Sequence, residues 1–198
     1  VGIAHHFRAV HAFDDESALD RTAARIFDDV FNDGFSSNVA EGTQDFLGIN
    51  YYSRDLIRFS PRHTEMLGVE RLVAAGAEIS EMGWDIYPAG LGEVMSRSAE
   101  RTNLPIWITE NGIADAHDVQ RPSFLVRHLV EVAKSIAAGV DVLGYCHWSL
   151  IDNFEWAEGM SQRFGLFEVN PQDMARRPRH SAEIYRQIAR NKAIDEAT

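Results

Sequence analysis

Four times along this chain a short apolar run rich in strand formers gives way to a segment whose apolar residues recur at helical spacing. The runs are "VGIAHHF" (1–7), "DFLGINYY" (45–52), "PIWITE" (105–110) and "DVLGYCHWSL" (141–150). After the first, "DDESALDRTAARIFDDVFNDGF" carries Leu19, Ala23, Phe27, Val30 and Phe31 on one predicted helix face, with acids in its opening turns where the helix dipole favours them. A long polar connection separates the second run from its helix, "YPAGLGEVMSRSAER", in which Leu91, Val94, Met95 and Ala99 share a face. The third helix, "PSFLVRHLVEVAKSIAAG", aligns Leu125, Leu129, Val132 and Ile136 and stops at Gly139; the fourth is "SAEIYRQIARN". Strands that are continuously apolar, rather than alternating, belong to parallel sheets covered by helices. The chain therefore reads as one α/β domain over residues 1–198, built of four βα units.

The strand ends carry the chemistry. Asn50 and Tyr52 finish the second run, Glu110 the third and Trp148 the fourth. In a parallel sheet all C-terminal strand ends reach the same rim, so these side chains can converge. A carboxylate beside a tyrosine and among tryptophans suits carbohydrate: sugar C–H faces stack on aromatic planes, and hydroxyls need acceptors such as Glu and Asn. "WSLIDNFEW" (148–156) supplies Trp148, Glu155 and Trp156 within one segment.

Composition limits the partners. The net charge is −11, with 19 basic against 30 acidic residues, which argues against nucleic acid or an anionic membrane surface. No stretch approaches the roughly 18 apolar residues of a membrane span. The one cysteine, Cys146, excludes an internal disulfide framework, fits a reducing, cytoplasmic compartment, and is expected to be inert packing. His5, His6 and His11 match no strong ligand template, so no metal is expected.

Four stretches, "DFLGINYYSRDLIRF", "MGWDIYPAGL", "LPIWITENG" and "GYCHWSLIDNFEWAEGMSQRFGLFEVN", closely resemble the C-terminal half of family 1 glycoside hydrolases, the β-glucosidase group. The likeness runs over nearly the whole chain. It implies an eight-stranded (β/α) TIM barrel, retaining hydrolysis of O-glycosidic bonds and no cofactor, with a β-glycoside or oligosaccharide as substrate. By the same resemblance Glu110 is the catalytic nucleophile, Tyr52 the hydroxyl that orients it, and Asn50 a polar neighbour. Glu155 and Trp156 match the pair that reads the outer hydroxyls of an unphosphorylated sugar. Trp148 matches the platform under the sugar, and Trp84 and Phe164 match walls nearer the mouth of the cleft.

Departures from the family pattern are equally specific. A retaining enzyme needs a second carboxyl group roughly 5 Å from the first, and the family's acid/base is the Glu of an Asn-Glu-Pro tripeptide that this sequence does not contain. The Gln and His that clasp the sugar in the family's N-terminal half have no counterpart, and the connection from Phe35 to Asp45 is short for the family. A full barrel takes about 250 residues, and these strands match the fifth to the eighth. The expectation is thus a half-barrel completed by a complementary N-terminal half or by a second copy, weakly active or inactive alone. The alternative is a non-catalytic, sugar-binding or structural half-barrel.

Overall fold

The computed structural model of the protein describes residues 1–34, 42–63 and 68–194; most of the connection from Phe35 to Asp45 lies outside them. The elements, in chain order, are β1 (Gly2–Ala12), α1 (Ala18–Asp28), β2 (Phe46–Phe59), β3 (Val69–Leu72), α2 (Pro88–Thr102), β4 (Ile106–Asn111), α3 (Arg121–Ala137), β5 (Val142–His147), β6 (Phe167–Val169), β7 (Arg176–Pro178) and α4 (His180–Asn191). A π-helical turn, Asp29–Asp33, extends α1, and a 3₁₀ turn, Trp156–Glu158, follows β5. The strands β1, β2, β4 and β5 pair in that order, all parallel. The sheet does not close: β1 and β5 each have one neighbour among the described residues.

Two strands outrun their expected lengths, β1 as far as Ala12 and β2 as far as Phe59. β2 continues past Tyr52 to Phe59 and turns back into β3, an antiparallel hairpin within the stretch read as polar connection. A second small hairpin, β6–β7, lies between the end of β5 and α4.

The two faces of the sheet differ. Leu47, Ile49 and Tyr51 of β2, Ile106 and Ile108 of β4, and Phe7 and Ala9 of β1 bury themselves against Leu91, Val94 and Met95 of α2 and Val132 of α3. This is the hydrophobic core. The other face, here called inner, alternates small and large residues: Gly2 pairs with Phe46, Ala4 with Gly48, and Gly48 with Trp107, whose ring lies against Gly144. Trp107 remains 37% exposed there. Cys146 sits between Tyr145 and His147, both paired on the helix side, so strand alternation turns it inward. It is exposed rather than packed, contrary to expectation.

Helix α1 also departs from its predicted single face. Ser17 caps it by accepting from the Asp20 amide, and Ala23 and Ala24 are buried with Phe27 packed alongside. Leu19, Ile26 and Val30 form a separate exposed stripe, because spacings of seven and eleven residues return to nearly the same side of a helix. Ile136 of α3 is likewise exposed. Asp20, one of the acids in the opening turns of α1, is buried and accepts the Phe59 amide at 2.9 Å, tying α1 to the end of β2.

Candidate active site

Glu110 reaches the inner face through an irregularity in β4. Ile49 pairs with Ile108, but Asn50 pairs with Glu110, so Thr109 is a surplus residue. In unbroken register Thr109 would face Asn50, and Glu110 would lie opposite Tyr51 on the helix side. Bulges of this kind re-aim side chains beside active sites. Thr109 still engages the site, its hydroxyl donating to Asn50 Oδ1 at 2.5 Å.

Tyr52 donates its hydroxyl to Glu110 Oε2 at 2.6 Å, a length typical of a donor facing a charged carboxylate. Burial first, then the hydrogen bond to Glu110 and the nearby charge of Glu155, raise the Tyr52 pKa far above its ordinary value. The phenol thus stays protonated and remains a donor.

Around this pair the backbone is tightly held. Asn111 is fully buried; its amide donates to Tyr51 O at 2.8 Å and its carbonyl oxygen accepts from the Tyr145 hydroxyl at 2.7 Å. One side chain therefore ties β2, β4 and β5 together directly after Glu110. The Trp148 amide donates to Asn111 O at 2.9 Å. A Cβ at Gly112 would fall 1.7 Å from the Trp148 carbonyl oxygen, so only glycine lets this half-buried tryptophan sit so close to the carboxylate strand.

Aromatic rings build the wall. Tyr52 meets Trp84 edge-on at 5.7 Å and Phe164 at 6.3 Å, and Trp84 and Phe164 are 6.3 Å apart. Phe164 is only 1% exposed, so it braces Tyr52 and Trp84 from behind rather than offering a face to the cleft. His6, opposite Asn50 in register, presents its ring to Tyr52 at 5.8 Å. Burial, aided by Arg8, lowers the His6 pKa to about 4, so it is neutral at ordinary pH. His11 is bound to Glu93 at 2.8 Å, and among the described residues no group of three His, Cys, Asp or Glu is arranged to hold a metal.

The segment after Trp148 splits into a fixed root and a loose tip. At the root Asp152, buried, accepts from Arg179 Nη1 and Nη2 at 2.9 and 3.0 Å and from the Gly165 and Val169 amides at 3.0 and 3.2 Å. Burial opposes its charge, yet Arg179 and these amides hold its carboxyl below the usual carboxylate range. At the tip, Glu155 accepts from Asn153 Nδ2 at 3.2 Å and lies within electrostatic reach of Tyr52. Trp156 does not join it: the ring is 82% exposed, on a residue with φ of 47°.

Of the residues singled out from sequence, Asn50, Tyr52, Glu110, Trp84, Trp148 and Glu155 gather at one rim, Phe164 supports it, and Trp156 stands outside. Sequence reasoning missed Thr109, Asn111 and Gly112, although "TENG" contains all three beside Glu110. It also missed the Asp152–Arg179 pair, whose partners are far apart in the chain.

Fold and rim together define a parallel α/β protein with an acid-bearing cleft at its strand ends. Residues 21–194 match the model of glycosyl hydrolase family 1, and the chain belongs to that family. It is 43% identical over 161 residues to a beta-galactosidase of Saccharolobus solfataricus, covering 78% of this chain and 33% of that protein. It is 37% identical over 163 residues to beta-glucosidase A of Thermotoga maritima, covering 77% and 36%. Among solved structures it superposes on a beta-glycosidase from Pyrococcus horikoshii with a TM-score of 0.92 at 36% identity, over 100% of this chain and 49% of that one. A family 1 β-glucosidase of Thermotoga maritima gives a TM-score of 0.88 at 28% identity, over 98% and 52%. The chain thus spans about a third of the length of these curated relatives and about half of these solved chains. The structural neighbours are TIM-barrel enzymes.

Proposed function

We propose that this chain carries the nucleophile and much of the sugar-binding surface of a retaining β-glycosidase. The observation that supports this most directly is the 2.6 Å hydrogen bond from Tyr52 to Glu110 on the inner face, beside Asn50 and Trp148. In the first step a Glu110 oxygen bonds to the anomeric carbon as the leaving oxygen departs with the bonding electron pair. In the second, water displaces Glu110 and restores the carboxylate. Through its hydroxyl Tyr52 holds Glu110 in line for the first step and donates to the carboxylate that the second step releases. Glu155 takes hydroxyls at the far edge of the sugar, and Trp148 and Trp84 take its apolar faces.

The acid that protonates the leaving oxygen comes from a complementary half that closes the sheet along the open edges of β1 and β5, either a partner chain or a second copy. The parallel order of the sheet, its unpaired edges and the half-length match to barrel enzymes support this reading. A reducing, cytoplasmic setting accords with the exposed thiol of Cys146. A second reading, a non-catalytic sugar-binding half-barrel, is favoured by the lack of any Asn-Glu-Pro tripeptide in the sequence.

Acid catalysis matters least for good leaving groups. A 2-deoxy-2-fluoroglucoside of dinitrophenol is therefore expected to label Glu110 slowly, read as an adduct by intact-mass analysis, and Glu110→Gln should abolish the adduct. Adding the complementary half should raise turnover of a disaccharide by about 10² to 10⁴. Long exposure without an adduct would decide for the non-catalytic reading.

A further inference from the structure

A cavity of about 190 Å³ lies next to the proposed catalytic pair and is not used by it. Arg8, Ser53, Arg54, Asp55, Arg71 and Trp84 line it. Ser53 and Asp55 follow Tyr52 along β2, and Arg8 follows His6 along β1, so the cavity sits further toward the strand ends than Glu110. Trp84 belongs to both places, lining the cavity while its ring meets Tyr52 at 5.7 Å. A sugar bonded at Glu110 would direct its leaving group toward this outer side.

The charge of the cavity contrasts with that of the whole chain. Arg54 is occupied outside it, donating through Nε and Nη2 to Asp85 at 2.9 and 2.6 Å. Arg8 and Arg71 both turn to a single carboxylate: Arg8 Nη1 donates to Asp55 at 3.1 Å, and Arg71 donates to it through Nε and Nη2 at 3.0 and 3.1 Å. Two cations against one anion leave a surplus positive charge. The Arg8 side chain is 11% exposed, and its Nε is buried with no hydrogen-bond partner among the described residues. Two guanidiniums that share one carboxylate in a cavity form an arrangement that a second anion would complete through charge-assisted bonds.

We propose that this cavity is the leaving-group subsite of the glycosidase proposed above, and that it selects leaving groups bearing a carboxylate or a sulfonate-like oxyanion. The anion sits against Arg8 and Arg71, and its aromatic or alkyl body lies along Trp84.

The test is equilibrium binding of three free leaving-group analogues to the full chain: 4-hydroxybenzoate, 4-hydroxybenzenesulfonate and the neutral 4-hydroxybenzamide, followed by titration calorimetry. At least one acidic analogue is expected to bind about tenfold more tightly than the amide, the scale of one charge-assisted hydrogen bond; which of the two does so distinguishes a planar from a tetrahedral preference. Arg71→Gln should erase the preference and Arg71→Lys should keep part of it, with thermal melting confirming that both variants are folded. The preference should persist in Glu110→Gln, so this result stands apart from whether Glu110 can be labelled. Equal affinity for all three analogues, or a preference untouched by Arg71→Gln, would overturn the proposal.

Discussion

The carboxylate end of the site and the tip of the loop beyond Trp148 belong to one rim but are held in opposite ways. Glu110 is framed by Tyr52, Thr109 and the buried Asn111, each with a named partner on a neighbouring strand. Phe154 and Trp156 at the tip are 67% and 82% exposed, although the loop root is fastened by Asp152. The contrast separates what this chain organises by itself from what it leaves open. In the proposed reaction the carboxylate attacks one carbon atom and so needs a fixed position, and orientation of this kind accounts for much of a catalyst's advantage. A surface that greets the outer edge of a sugar tolerates late ordering, at the cost of fixing side chains on binding.

Acid should expose the difference most strongly. His128 and His147 are buried beneath the rim with pKa values lowered to about 3, burial being the chief cause for both. The unfolded chain binds protons on these groups below about 6.5 and the folded chain does not. Stability is therefore full above that value and falls as pH drops toward about 3, read as a declining urea midpoint; a midpoint unchanged between pH 7 and 5 would contradict their burial. Next in size, Asp152→Ala strands Arg179 and should cost about 3–5 kcal/mol. Because it frees the loop root, protease should then cut the root at 149–152 or 163–165 as readily as the tip around 154–156. Asn111→Ala removes the link among three strands and should cost about 2–3 kcal/mol, with loss of Glu110 labelling; unchanged labelling would mean that Tyr52 alone positions the acid. Smallest of all, Trp156→Ala should alter stability by no more than about 0.5 kcal/mol, and a larger loss would show that the tip is packed after all.

Much of this arrangement is legible in the sequence because it is local. An apolar run closing on Glu110, and another closing on Asn50 and Tyr52, announce parallel strands with a polar rim. The β2–β3 hairpin is not legible in the same way, since "VERL" is short and its pairing depends on the far end of an unusually long β2. Periodicity also misled for α1: it detects apolar residues at helical spacing but not that Ala23 and Ala24 take the core while Leu19 and Val30 stay exposed. The motif that names Glu155 and Trp156 gives their kind and order, whereas their separation depends on how the loop tip packs. Asp152 and Arg179 meet only through tertiary structure, so no window of sequence contains both.

The surplus residue in β4 has an evolutionary consequence. Strand alternation alone would point the acid toward the helices and the core, and a single insertion changes the phase. One codon thus separates a strand that presents its acid to the inner face from one that hides it, even when every chemically important side chain is retained.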